Sequence, residues 1–131
     1  MEERKQRFYI CKHCGNILGA IIDTGNPLMC CNDTMEELKA NTVDASLEKH
    51  VPVIKVDGRK VTVNIGSTPH PMIEKHYIMW VYIQTAKGGQ RKILGPNKEP
   101  TAEFLLTDDD RIEAAYEYCN LHGLWKAEYN E

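Results

Sequence analysis

The chain has 131 residues, a hydrophobic content of 42% and a net charge of −3. That is enough for one ordinary core with a small appendage, and too apolar for disorder. The charge and the lack of a Lys/Arg block argue against a general nucleic-acid binder, and no apolar run is long enough to span a bilayer. Met1-Glu2-Glu3-Arg4-Lys5-Gln6-Arg7 is charged, with no apolar stretch of signal-peptide type behind it, so a cytoplasmic location is expected.

Residues 1–37 read as a small separate unit. Tyr9-Ile10 leads into Cys11-Lys12-His13-Cys14-Gly15-Asn16, a turn with Gly-Asn at its end. An apolar run from Ile17 to Ile22 follows, then a loop over Asp23-Thr24-Gly25-Asn26-Pro27, then Leu28-Met29 and the adjacent pair Cys30-Cys31. A unit this short cannot bury enough apolar surface to hold itself together, and a metal on four thiolates would staple it. Met35 to Leu47, with Asp44 and Ser46, reads as a polar connector able to carry a helical turn and contributing nothing to a core.

From Val51 the pattern changes to period two. Val51 to Val56 is β-branched, and Asp57-Gly58 is a hairpin signal. Val61, Val63 and Ile65 alternate with polar residues, as in a half-buried strand. Tyr77 to Ile83 is apolar on both faces and predicts a central strand. Lys87-Gly88-Gly89-Gln90 predicts a turn, Arg91 to Leu94 a strand, Gly95-Pro96-Asn97 a break, and Ala102 to Leu106 another strand. Ile112 to Tyr118 fits a helical face and a strand equally well. Its neighbours and its tyrosines favour a strand. Leu124 to Tyr129 closes the chain as a short strand. Residues 38–131 thus predict an antiparallel β-sandwich of about seven strands, and the chain as a whole a mainly β fold.

Two constellations carry chemistry. Cys11, Cys14, Cys30 and Cys31 favour Zn or Fe in a tetrahedral site. Two disulfides would require an oxidising compartment. A zinc ribbon normally separates its cysteines by two residues, so the adjacent pair must splay and distort the tetrahedron. His13 is expected to be a solvated turn residue. The second set is His50, His70, His76, Cys119 and His122, each at a strand edge or in a loop. Four imidazoles and a thiolate suit Fe(II), Cu or Zn, and five ligands leave a sixth octahedral position open for chemistry. A non-catalytic electron carrier and a zinc-stapled interaction module are competing readings of the same residues.

Glu48-Lys49-His50-Val51-Pro52-Val53-Ile54, His70-Pro71-Met72, Glu74-Lys75-His76-Tyr77 and Tyr118-Cys119-Asn120-Leu121-His122-Gly123-Leu124-Trp125-Lys126 together resemble desulfoferrodoxin, the two-iron superoxide reductase family. Cys11-Lys12-His13-Cys14-Gly15-Asn16 with Cys30-Cys31 resembles that family's desulforedoxin-like N-terminal domain. The resemblance implies an iron-binding domain over 1–37 and a catalytic, immunoglobulin-like β-sandwich over 38–131. It implies two Fe ions per chain. One is held by Cys11, Cys14, Cys30 and Cys31. The other is held by His50, His70, His76 and His122, with Cys119 as axial thiolate. It also implies one-electron reduction of superoxide to hydrogen peroxide without oxygen evolution, with Lys49 attracting the anion and ordering water for proton delivery. Glu48 would ligate the ferric iron once peroxide leaves. A rubredoxin-like electron donor and a homodimer are further expectations, with no nucleic-acid or membrane partner.

Overall fold

A computed structural model describes residues 6–42, 45 and 47–130. Met1 to Lys5 of the charged N-terminus, and Asp44 and Ser46 of the connector, lie outside the described residues. The chain divides into two units, residues 1–39 and 40–131.

In the first unit β1 (Arg7–Ile10) pairs on one side with β2 (Ile17–Ala20) and on the other with β5 (Glu36–Glu37), all antiparallel. β3 (Met29–Cys30) and β4 (Asp33–Thr34) form a separate hairpin. Among the described residues of this unit, the buried apolar ones are Phe8, Cys11 and Met35. So small a core leaves the fold dependent on its cross-links. Met35 corrects the connector reading. It is buried, its N–H donates to the Leu28 carbonyl, and the two glutamates after it join a sheet. Backbone pairing with β1, invisible in their side chains, holds Glu36 and Glu37 in place. The Tyr9 hydroxyl donates to the Asp23 carboxylate, which also faces Arg7 at 3.5 Å.

The second unit begins with a single helical turn, α1 (Leu47–His50), followed by seven strands. These are β6 (Pro52–Asp57), β7 (Lys60–Ile65), β8 (Ile78–Thr85), β9 (Gly88–Ile93), β10 (Thr101–Leu105), β11 (Ile112–Cys119) and β12 (Gly123–Glu128). They form two antiparallel sheets in the orders β10-β7-β6 and β12-β11-β8-β9. Alternate residues point to one face of a strand. Val61, Val63 and Ile65 of β7, Ala102 and Phe104 of β10, Val81 and Ile83 of β8, and Ala115 and Cys119 of β11 therefore meet in one core. β11, the segment whose pattern allowed a helix, is hydrogen-bonded on both sides, to β8 and β12.

Two turns differ from expectation. The first hairpin turns over Gly58 and Arg59, since Asp57 still pairs with Lys60. Gly88 to Gln90 are not a turn but the start of β9, and Gly88 already pairs with Thr85. A glycine there is tolerated because the Tyr82 ring lies where a side chain at Gly89 would stand.

The topology gathers one end of both sheets. α1 feeds β6, residues 66–77 join the end of β7 to the start of β8, and Asn120-Leu121-His122 join β11 to β12. Gly66 allows the first two to cross. It has φ +83°, and a Cβ there would stand 2.5 Å from the Thr68 carbonyl and 2.7 Å from that of Glu48.

Candidate metal centres

The first cluster is built from two turns. The Cys11 N–H donates to the Asn16 carbonyl and the Gly15 N–H to that of Cys11, both at 2.8 Å, which curls residues 11–16 into a knuckle. Within it the Cys14 and His13 amides point at the Cys11 sulfur and pull its thiol pKa down to about 6. The second turn is Cys31-Asn32, the two-residue loop between β3 and β4, with φ of +53° and +60°. Positive φ at both central residues is the primed hairpin geometry, which glycine and asparagine adopt easily and cysteine does not. A left-handed residue of this kind costs on the order of 1 kcal/mol or more. That strain is how adjacent cysteines face one point. The Cys30 sulfur lies 3.6 Å from that of Cys14 and 3.9 Å from that of Cys31. All four sulfurs fall within 4.8 Å of one another. Crowding by the other sulfurs, Cys14 first, pushes the Cys31 thiol up to about 12. A shared cation would hold sulfurs this close together as ligands. His13 is exposed, as expected, and its Nε2 sits 3.0 Å from Asp33 Oδ2.

The second cluster joins residues 72 positions apart. His50 closes α1, His70 and His76 lie on the β7–β8 connection, and Cys119 and His122 flank the β11–β12 turn. That turn is a three-residue loop ended by Gly123 at φ +79°. It holds Cys119 Sγ 3.9 Å from His122 Nδ1. The four imidazoles close a ring in the order 50, 70, 76, 122. Successive centroids are 4.8, 4.6, 5.0 and 4.8 Å apart, and successive planes stand at 77–88° to one another. His50 and His76 face each other across it at 6.2 Å. His50, His76, Cys119 and His122 bring their donor atoms within 4.8 Å of one another. His70 joins through its Nε2, 3.3 Å from that of His50.

The ring nitrogens fit a cation. His50 Nε2 lies 3.0 Å from His122 Nδ1 as well as 3.3 Å from His70 Nε2. One N–H can serve only one of these neighbours. His76 Nε2 is buried with no hydrogen-bond partner. His70 Nδ1 donates to the Pro71 carbonyl at 2.6 Å, which leaves its Nε2 as a lone pair aimed into the ring. Burial holds His70 at a pKa of about 4 and lowers His76, so both are neutral, as ligands must be. Cys119 is fully buried, and burial raises its thiol, against the pull of the Leu121 and His122 amides. A cation would displace that proton. Both donor sets suit iron, four soft thiolates in one and imidazoles with a single thiolate in the other.

The family model of desulfoferrodoxin matches residues 42–128. The chain belongs to the desulfoferrodoxin family. It is 44% identical over 120 residues to the desulfoferrodoxin of Nitratidesulfovibrio vulgaris, covering 92% of this chain and 94% of the relative. It is 45% identical over 129 residues to that of Desulfarculus baarsii, covering 98% and 99%. Among solved structures it resembles the superoxide reductase of Treponema pallidum, with a TM-score of 0.82 and 39% identity over 95% of this chain and 100% of that one. The cysteine group and the histidine–cysteine group fit a desulfoferrodoxin with two iron sites.

Three residues near the second cluster were not legible in sequence. Trp125 stacks on His50 at 5.0 Å, and its Nε1 donates to the His122 carbonyl at 3.1 Å. It ties the first and last histidines together. Glu117, two residues before Cys119, is fully buried with neither oxygen hydrogen-bonded, and desolvation pushes its carboxyl up to about 9. Period two along β11 places it on the core face, but it is a charged residue type that such a pattern assigns to solvent. Asn120 bonds the backbone on both sides of His76, at Lys75 and Tyr77. The remaining candidates, Glu48 and Lys49, are exposed on α1 beside His50.

Proposed function

We propose that this chain reduces superoxide to hydrogen peroxide, consuming one electron and two protons per superoxide and releasing no oxygen. The observation that carries this reading is the closed ring of four imidazoles beside a buried thiol, with His70 and His76 held neutral by burial and His76 Nε2 buried without a hydrogen-bond partner. His50, His70, His76, His122 and Cys119 would hold iron there, which when bound would supply the reducing electron. Cys11, Cys14, Cys30 and Cys31 would hold a second iron that staples an iron-binding domain over residues 1–37. Residues 38–131 would form the catalytic domain.

The chain's own residues do the rest. Lys49 puts an exposed ammonium beside the ring, and its charge is felt at His76, whose protonation it opposes. The same field draws in the superoxide anion and should weaken as salt rises. Water ordered by Lys49 would carry protons from solvent. Thr68 N–H donates to the Glu48 carbonyl at 3.0 Å and the Ser67 hydroxyl at 3.3 Å, which anchors the turn bearing Glu48 and Lys49. Glu48 is the carboxylate that would occupy the site between turnovers. Cys119, kept dry by the core, gives a thiolate whose charge stays undiluted by solvent.

A rubredoxin-like protein would supply electrons in the cytoplasm. Two chains would associate as a homodimer. Supporting this, β2 is the outer strand of its sheet, and Ile21 and Ile22 just beyond it are 95% and 83% exposed. No helix among the described residues is long and apolar enough to cross a membrane. The test is to mix the iron-loaded, reduced chain with superoxide in a stopped-flow cell. The expected result is one peroxide per superoxide and no oxygen. Half a peroxide and half an oxygen per superoxide would replace reduction by dismutation.

A further inference from the structure

His76 differs from the other ring members. His70 is oriented through its own Nδ1, and His50 is braced by the Trp125 ring. His76 Nε2 makes no hydrogen bond. The hydrogen bonds that hold it act through its backbone. The two peptide groups that flank its Cα offer two carbonyls and two N–H groups, and all four are engaged. The His76 N–H donates to the Ile73 carbonyl at 3.0 Å, and the Ile73 N–H donates to the His76 carbonyl at 3.0 Å. The other two go to one side chain. The Tyr77 N–H donates to Asn120 Oδ1 at 2.9 Å, and Asn120 Nδ2 donates to the Lys75 carbonyl at 3.1 Å.

Asn120 stands where the β11–β8 ladder ends. The register slips between Tyr118 and Cys119, and the last pair is Cys119 with Ile78. The Asn120 N–H still donates to the Tyr77 carbonyl at 3.2 Å. Its side-chain amide, one acceptor and two donors, then does what the next peptide unit of a strand would do. It prolongs the ladder backward past His76. Asn120 follows Cys119 directly and precedes His122 by two residues, so the amide ties three members of the cluster into one frame.

We propose that Asn120 is a positioning residue that sets the direction of the His76 imidazole relative to Cys119 and His122. It hydrogen-bonds neither the ring nor the sulfur. This inference rests on the reading of these five side chains as an iron site. An aliphatic residue here would free the Lys75 carbonyl and the Tyr77 N–H together, and His76 would swing about its own backbone.

The test is a cycle on the full chain with both metals loaded, Asn120→Ala against His76→Ala. Iron loss from the histidine site to a ferrous chelator is followed by that site's own visible absorption. Removing a group that orients a ligand typically costs about 10–100-fold in metal affinity. Asn120→Ala should therefore weaken iron retention by about tenfold and alter the ferric electron paramagnetic resonance signal. In the His76→Ala background the same change should cost less than about twofold, because its target is gone. Asn120→Asp keeps the acceptor for Tyr77 and loses the donor to Lys75, and should fall between. It decides the matter if the alanine variant does not fold. Equal losses with and without His76, or an Asp variant identical to the unaltered chain, overturn the inference. An unaltered chain that never loads iron at the histidines would instead overturn the underlying reading.

Discussion

The two cysteine-bearing clusters of this chain solve the same problem by opposite means. The N-terminal one draws all its donors from residues 11–31, through a knuckle and a strained two-residue loop, and leaves Cys14 and Cys31 exposed. The C-terminal one draws donors from residues 50–122, sinks Cys119 fully into the core and keeps His70 and His76 neutral by burial. In the first, the fold depends on the metal, since few apolar residues lie beneath it. In the second, the site depends on the fold, since seven strands carry the donors to one end. A local cluster can staple a weak unit, because closing a short loop costs little entropy. A buried one needs a prebuilt scaffold to hold ligands against water.

The contrast can be broken at Cys119. Cys119→Ala should abolish superoxide reduction, with a loss of more than about a hundredfold, while the N-terminal cluster keeps its iron and colour. Metal content and stopped-flow rates on one preparation check both halves. If the N-terminal iron leaves as well, the clusters are not independent. The converse change, Cys14→Ser, should unfold the N-terminal unit, because metal binding there is folding free energy. Limited proteolysis should then cut within residues 6–39, while the superoxide rate stays within about twofold of the unaltered chain.

A smaller effect is expected at the carboxyl buried in the second unit. Glu117 has its folded pKa raised from 4.5 to about 9 by desolvation. The folded chain keeps that proton where the unfolded chain releases it. Stability therefore falls as pH rises from 4.5 towards 9, opposite to a salt-bridged carboxylate. Near pH 7 the penalty is on the order of 3 kcal/mol. Glu117→Gln should flatten this slope in denaturant titrations, and an unchanged slope would mean that Glu117 is ionised in the fold. The smallest expected effect is at the surface. Lys49→Ala should slow superoxide association several-fold and reduce its dependence on salt, with peroxide stoichiometry unchanged. If rate and salt dependence both stay the same, Lys49 has no steering role.

Much of this was legible in the chain before folding. Four cysteines within 21 positions announce a cluster because their chemistry is local, and alternation in residues 51–65 announces strands because side chains of a strand face opposite ways. Other features were not. Glu36 and Glu37 look like connector because their strand pairing is made by backbone alone. Glycines 88 and 89 read as a turn because sequence cannot show the pairing of Gly88 with Thr85 or the Tyr82 ring above Gly89. Glu117 looks solvated because residue type carries no record of depth.

By itself, the sequence determined which donors exist, the family they belong to and the mainly β character of the chain, since these follow from residue type, spacing and short-range periodicity. Only the tertiary structure decided that the imidazoles of residues 50, 70, 76 and 122 form a closed ring at near right angles. It also decided that His70 presents Nε2 and His122 Nδ1, and that a single asparagine holds both peptides around His76. Angles, tautomers and long-range hydrogen bonds depend on which strand ends meet, and pairing across more than 40 residues leaves no local mark in the chain.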